Sequence, residues 1–463
     1  MTKGRSVTLA LVVLDAIVVF VVFNVVAWAR GVIYWHDPMT TALALPLVMH
    51  ILAVYLVDGY SARTDTMSVT YTSLHTIALL VVALMTLLLT YVFIPAGFPL
   101  QSSRVVLGVS SVLVIPLTLS YRREFYRRQQ ARKQQRYFMF LGSQESCIAF
   151  KEECRRSGMT QAVLYATHEI FLPGRKATIA GLPSSSTVSM PPMGDVGHYL
   201  EEYEGQLDAI ILRETSQELP TIVAQRLMEM HFSGVPTYTL ELFHEVYWRK
   251  IPLYRLNQTW LFQEGFQIAR EPVFERLKRV ADVALASFGL LVTLPLLPVV
   301  AALIWIGDRG PVFFRQPRVG KNRVLFDIVK LRTMKVHHDG AVYTGANDDR
   351  ITPIGRFLRA TRLDEVPQLW NVFRGDMSLI GPRAEWVKLV EDYEKKIPCY
   401  HFRHLVKPGI TGWAQVNYPY GANLDDTLRK LEYDLYYIRY FSFVLDASIV
   451  LKTIHIMLFG KGR

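Results

Sequence analysis

The chain has 463 residues, of which 51% are hydrophobic and 20% charged, and it carries a formal net charge of +11. That length exceeds one typical domain and points to about three. So apolar a composition argues against a wholly soluble protein and puts part of the chain in lipid. A basic balance suits nucleic acid, anionic headgroups or phosphate substrates, and nucleic acid is set aside because much of the charge lies beside apolar segments. The three cysteines, Cys147, Cys154 and Cys399, make no metal-ligand spacing with histidines. Their odd number argues against a disulfide framework.

Four apolar runs open the chain, at about 7–29, 41–58, 75–96 and 105–120, each close to the roughly 20 residues a helix needs to cross a bilayer. No small-residue cleavage site follows the first run, so it reads as a retained anchor. The fourth run carries Pro116 and leads into a basic tract, 121–136, holding Arg122, Arg123, Arg127, Arg128, Arg132, Lys133 and Arg136 against Glu124 alone. Lys3 and Arg5 precede the first run. The positive-inside rule then places both ends of residues 1–120 in the cytoplasm, with a bundle of four transmembrane helices between them. The tract 121–136 reads as a juxtamembrane segment.

Residues 137–240 alternate apolar runs with polar stretches. Tyr137–Leu141, Ala162–Tyr165, Asp208–Leu212 and Val235–Leu240 read as strands, and Pro220–Phe232 as a helix. This predicts a Rossmann-like α/β domain. Gly142 stands without the further glycines of a dinucleotide-binding turn, so a structural or regulatory role is expected of it. An aromatic-rich stretch, 241–270, reads as a linker to an α-rich C-terminal domain at 271–463.

That domain opens with an apolar segment, 280–306, whose single charge is Asp282. Pro295 and Pro298 fall in its middle, and both flanks are basic: Arg276, Lys278 and Arg279 before, Arg309, Arg315, Arg318 and Lys321 after. Proline removes a backbone donor and breaks the helical ladder. A re-entrant helix that enters and leaves by one face satisfies both observations; the alternative is a fifth, proline-kinked crossing.

Asp364 and Glu365 are adjacent carboxylates that follow Arg356, Arg359 and Arg362 and precede Arg383. Thr352-Pro353 predicts a helix start, and Pro367 predicts its end or a kink just past the acidic pair. Attack on phosphorus needs neutralised phosphate oxygens and a positioned nucleophile. Lys330, Arg359 and Arg383 supply cations. One carboxylate can act as nucleophile while a second holds Mg²⁺, which takes one or two carboxylates plus substrate phosphates. The same pair also fits a solvated helix face with arginine partners.

Several stretches occur together and in order: Lys278-Arg279 with Asp282, Pro295, Arg315-Gln-Pro-Arg-Val-Gly320, Phe326 to Met334, Ile354 to Arg359, Leu363-Asp-Glu-Val-Pro-Gln-Leu369, Asn371 to Arg383, and Lys407 to Asn417. In these, residues 272–463 resemble the bacterial sugar transferase family, the monotopic phosphoglycosyl transferases. The N-terminal spans and α/β insert are similar to its large members, which initiate exopolysaccharide, capsule or O-antigen assembly. The resemblance implies transfer of sugar 1-phosphate from a UDP-sugar to undecaprenyl phosphate, with release of UMP, at the cytoplasmic face of the bacterial inner membrane. It implies Asp364 as nucleophile through a covalent phosphosugar intermediate and Glu365 as its partner, the pair holding Mg²⁺. It further implies Lys330, Arg359 and Arg383 on phosphates, and Pro295 as the break of the re-entrant helix. The family often has serine before that proline, where this chain has Leu294.

Glu432-Tyr-Asp434 resembles a stretch near the family's active site, which makes Asp434 a substrate-binding candidate; it also fits an ordinary amphipathic helix. Gln415 and Asn417 either contact substrate or stabilise a turn. His401 and His404 are expected at headgroup level, and Phe441–Phe459 in the membrane interface. The insert and spans offer surfaces for a homodimer. Two rival classes remain: a membrane glycosyltransferase that releases UDP, and a non-enzymatic scaffold that binds lipid headgroups. A transporter would place more polar residues in the first four runs than Asp15 and Asn24.

Overall fold

The structure is a computed structural model. It describes residues 2–61, 64–92, 104–131, 137–142, 144–159, 161–166, 206–213, 221–253, 272–335, 350–418 and 423–459. Residues 93–96 of the third expected run, 132–136 of the basic tract and 254–270 of the expected linker lie outside these. The described residues are mostly helical. The chain divides into two compact units, one of Ala10–Leu119 with Leu253–Arg463 and one of Met1–Leu9 with Ser120–Pro252.

The N-terminal part consists of α1 (Thr2–Ala29), α2 (Ala44–Leu56), α3 (Val69–Val92) and α4 (Arg104–Ala131). Among the described residues, α1, α3 and α4 each contain a stretch long and apolar enough to cross a membrane, and the chain is a membrane protein by that measure. The second expected crossing is shorter. With its leading 3-10 turn it runs Thr41–Leu56, a rise of about 24 Å against roughly 30 Å of hydrocarbon. Three full-length candidates and one short helix thus stand where four equal runs were expected. α4 continues through Pro116 into the basic tract, so the two expected segments are one helix. The Arg, Gln and Glu residues there are good helix formers.

The polar residues of the first run join helices. Asn24 accepts from Met39 N at 2.7 Å and donates to Met39 O at 3.1 Å. Buried Asp15 accepts from Tyr60 Oη at 2.6 Å and lies 3.3 Å from His50 Nε2. Such pairing is what lipid demands of a polar side chain.

The second unit contains a parallel four-stranded sheet in the order β2-β1-β3-β4, built from β1 (Tyr137–Leu141), β2 (Ala162–Ala166), β3 (Leu207–Leu212) and β4 (Thr237–Thr239). Helices α5 (Gln144–Arg156) and α6 (Thr221–Ser233) accompany it; α5 has no counterpart in the sequence reading. The last strand is cut short at Thr239, whose hydroxyl caps the turn of helix α7 (Leu240–Phe243) by accepting from Leu242 N. A π turn, His244–Trp248, follows. Phe243 and Trp248 pack into the core with Phe138, Phe140 and Phe150, so the start of the expected linker belongs to the domain. At Gly142 the space a side chain would need is taken by Arg213.

The C-terminal part begins with α8 (Pro272–Thr293) and α9 (Leu296–Asp308), bent by 62° at Pro295. Pro298 causes no second break. It lies in the first turn of α9, where a missing N–H is tolerated. Thr293, one residue before Leu294, donates its hydroxyl to Gly289 O at 2.7 Å, a back-bond that favours bending. An antiparallel hairpin follows, β5 (Phe313–Val319) with β6 (Leu325–Leu331). Lys321, just after β5, pairs with Glu275 in the first turn of α8, which ties the two ends of the broken helix together.

Next come α10 (Pro353–Thr361), α11 (Gln368–Arg374), β7 (Ser378–Ile380), α12 (Val387–Lys396), β8 (Gly409–Thr411), α13 (Trp413–Asn417), α14 (Leu424–Arg439) and α15 (Phe443–Phe459), with β7 and β8 paired in parallel. Ala286, Phe326, Ile328, Val372, Met377 and Ala384 form the core that joins α8, the hairpin and α11. Burying each larger side chain there contributes roughly 1.5–3 kcal/mol. The helix at the end of the chain packs against α2 and α3. Its polar groups have protein partners: Asp446 pairs with Lys278, Lys452 Nζ donates to Asn417 Oδ1 at 2.8 Å, and His455 is buried. His404 is also buried, away from the expected headgroup level, and burial with the Arg403 charge pushes it down to about 3.

Candidate active site

The site is assembled at the end of β6. Thr352 caps α10 by accepting from Gly355 N at 2.9 Å, with Pro353 at the first helical position. Gly355 approaches the chain after β6 so closely that a Cβ would sit 2.1 Å from Thr333 O. Thr352 N donates to the same carbonyl at 3.0 Å, and Arg359 Nε donates to Thr333 Oγ1 at 2.9 Å. Thr333 therefore fixes both where α10 begins and where one of its arginines points.

Arg362, not Pro367, ends α10. Its φ of +58° closes the helix in the left-handed region, which for a residue other than glycine costs about 1–2 kcal/mol. The acidic pair lies in the next turn, the 3-10 segment Leu363–Glu365. Pro367 instead opens α11, where its fixed φ suits a helix start. Asn371 anchors that helix to β6, accepting from Val329 N at 3.0 Å and donating to Asp327 O at 2.8 Å.

The result brings the dyad against Lys330. Lys330 Nζ donates to Glu365 Oε1 at 2.9 Å, and Arg383 Nη1 lies 3.9 Å from the same oxygen. Burial works to raise the Glu365 carboxyl, but the charges of Lys330 and Arg383 outweigh it and hold it at about 2. Asp364 differs. It is 8% exposed, and its Oδ1 has no hydrogen-bond partner among the described residues. Burial raises its pKa and the Glu365 charge adds to that; Lys330, Arg359 and Arg362 pull the other way. Burial also lowers Lys330, against the pull of Glu365. Arg359 acts on Asp364 through its charge while its Nε is held by Thr333.

Asp434 and Gln415 stand apart from this cluster. Asp434 is 2% exposed and accepts from Arg403 Nη2 at 2.9 Å. Arg403 Nη2 also donates to the backbone carbonyl of Arg383 at 3.0 Å, and Arg318 Nη1 donates to Ala384 O at 3.0 Å. Two buried guanidiniums thus brace the strand that carries Arg383. Burial pushes the Asp434 carboxyl up to about 6 against the opposing charge of Arg403. Gln415 Nε2 donates to Ile410 O at 3.1 Å, while Asn417 bridges Trp413 O and Lys452. Pro295 marks the bend of α8 and α9.

Thr333, Asn371, Asp282 and Arg403 position the site without having been singled out for it. Asp282 accepts from Ser378 Oγ at 3.1 Å and Leu379 N at 3.0 Å, which holds α8 to β7. A lone charge in an apolar run is the one signal that pointed to it. Arg403, in an aromatic-basic stretch, gave none.

Among the described residues no group of three His, Cys, Asp or Glu side chains could hold a metal by itself. The dyad suits a cation that takes most of its ligands from substrate and water: Asp364 Oδ1 is an unengaged anionic oxygen, and Mg²⁺ needs only one or two carboxylates beside phosphates.

The family model described as bacterial sugar transferase matches residues 273–460. A Rhizobium leguminosarum exopolysaccharide production protein is 40% identical over 187 residues, 38% of this chain and 93% of that relative. This chain belongs to the bacterial sugar transferase family. Two further family relatives are similar over larger proteins. A UDP-N-acetylgalactosamine-undecaprenyl-phosphate N-acetylgalactosaminephosphotransferase of Aeromonas hydrophila is 37% identical over 257 residues, 55% of this chain and 60% of the relative. A UDP-glucose:undecaprenyl-phosphate glucose-1-phosphate transferase of Escherichia coli K12 is 45% identical over 184 residues, 38% of this chain and 39% of the relative. The matches thus span less than two thirds of these two relatives' length.

Proposed function

We propose that this chain transfers sugar 1-phosphate from a UDP-sugar to undecaprenyl phosphate, releasing UMP, and so initiates exopolysaccharide, capsule or O-antigen synthesis. The observation that carries this reading is the asymmetry of the dyad. Glu365 is held by Lys330 and Arg383, while Asp364 presents a buried carboxylate oxygen with no partner among the described residues. In the first step that oxygen attacks the sugar-bearing phosphorus of the donor. A bond forms between Asp364 and phosphorus, the bridging P–O bond breaks, and UMP leaves with the bridging oxygen. In the second step an oxygen of the lipid phosphate attacks the same phosphorus and Asp364 leaves as a carboxylate. Lys330, Arg359 and Arg383 neutralise phosphate oxygens, which removes the repulsion between like-charged reactants. Asp364 and Glu365 would hold Mg²⁺ with the diphosphate, and the ion would supply further neutralisation there.

The lipid acceptor requires the site at a membrane surface. We read α8 and α9 as a re-entrant pair, because Glu275 before the break and Lys321 after it are joined by an ion pair, and a full crossing would separate them by about 30 Å. The four N-terminal helices, including the short α2, serve as an anchor with both ends in the cytoplasm of the inner membrane, where UDP-sugars are made. Donor sugars to test first are glucose and N-acetylgalactosamine, named for the relatives.

Incubating the protein with UDP-sugar and no lipid should add a phosphosugar mass to the peptide carrying Asp364, with UMP released. Release of UMP at the native rate by Asp364→Ala would sink the nucleophile assignment. Release of UDP instead would indicate glycosyl transfer, and no turnover with any donor a headgroup-binding scaffold.

A further inference from the structure

A second cationic cluster lies at the other end of α11 from the dyad. Arg279 donates from Nη1 to Val372 O and from Nη2 to Phe373 O, capping the last carbonyls of that helix. α11 spans seven residues, so the cap lies about 10 Å along its axis from where the acidic turn enters. Gly375, with φ +102°, ends the helix beside it. A methyl group on Gly375 would lie 3.2 Å from Arg279 Nη2 and 3.6 Å from Lys407 Nζ. Two cations therefore converge on one bare backbone position.

The charges around them do not balance. Glu275 is paired with Lys321, and Asp282 is occupied by Ser378 Oγ and Leu379 N. Lys407 is half-buried and makes no hydrogen bond or ion pair with any described residue. Burial lowers its pKa, and the neighbouring Arg279 charge lowers it further. An ammonium group held beside a guanidinium, with no anion of its own, is a costly arrangement unless an external anion completes it. Leu277 and Val280, flanking Arg279 on α8, are exposed and offer an apolar wall at the same level.

We propose that Arg279 and Lys407 form a phosphate-binding site separate from the dyad, fitted to a phosphate mono- or diester such as a lipid headgroup carries. Arg279 presents a planar guanidinium and Lys407 a point charge, the combination that binds phosphate oxygens elsewhere. The bare Gly375 leaves the anion room between them. The site does not depend on the transfer reaction proposed above.

The test uses the full chain in neutral detergent, titrated calorimetrically with short-chain phosphatidylglycerol and, separately, with inorganic phosphate. Native protein should bind at least one of them, with Lys407→Gln weakening it by about tenfold or more and Lys407→Arg retaining it. Preference for the lipid assigns a headgroup; equal affinity for inorganic phosphate assigns a free anion, and both support the site. Unchanged binding in Lys407→Gln overturns it, as does absence of binding by the native chain. Binding that is lost in Lys330→Met but kept in Lys407→Gln puts the anion at the dyad and overturns it equally. A thermal melt of Lys407→Gln matching the native chain separates lost binding from lost folding.

Discussion

The α/β domain and the C-terminal domain both bury charge, but they finish the task differently. In the α/β domain Lys250 is paired with Glu153 at 2.5 Å and an aromatic core closes around the sheet. In the C-terminal domain, Asp364 keeps an oxygen unengaged and Lys407 keeps a charge unpaired among the described residues. A saturated buried pair stabilises or positions structure. A buried group left unsatisfied works against folding and is expected where a substrate or ligand supplies the missing partner.

The largest test of that contrast is Asp364→Ala, which should remove the covalent adduct and reduce lipid-linked product by on the order of 10³-fold. Product formed at a native rate would make Asp364 an ordinary buried acid. Lys330→Met should follow, with a loss of about 10²- to 10³-fold in transfer rate measured at saturating donor. A smaller effect is expected behind the site. Protonation of Asp434 below about pH 6 removes the anionic partner of Arg403, so the rate should fall as pH drops through that value. Asp434→Asn should be slower at neutral pH and lack that acid limb; a limb that persists near 6 would assign it to another group.

On the α/β side the effect should fall on stability. Lys250→Met breaks a buried pair and should cost about 3–5 kcal/mol in denaturant titration while transfer per folded molecule stays near native. The reverse sign is expected of Asp364→Asn. The folded pKa of Asp364 is raised, so its contribution to stability is present below the unfolded value of 3.8 and is lost as pH rises through the folded one. At neutral pH the ionised carboxylate opposes folding, and Asp364→Asn should melt higher there, with the gap narrowing in acid. Identical melting curves at pH 7 would remove the claim that this carboxylate is held at a cost.

Much of this contrast was legible in the amino-acid order. The strand at Tyr137–Leu141 coincides with its apolar run, the cap at Thr352 was readable from Thr-Pro, and the dyad was visible as two acids among arginines. Local chemistry decides those features. The end of α10 was misread because Pro367 is the louder signal, whereas the actual terminator is a left-handed arginine. Arg403, Thr333 and Asn371 act through residues 19 to 44 positions away, on partners that periodicity cannot name. The second crossing was overestimated because hydrophobicity continues past the point, Leu56, where the helix stops.

The contact of α15 with α2 and α3 bears on how the family's shared region can be handled alone. A fragment cut at residue 272 would retain the dyad and its cations, yet would uncover the side of its final helix that now rests on those two helices. Such a fragment should be monodisperse only in detergent, or with apolar positions on that helix replaced, while the intact chain supplies its own cover. Purification yield and aggregation, more than turnover, would then distinguish the trimmed protein from the whole one.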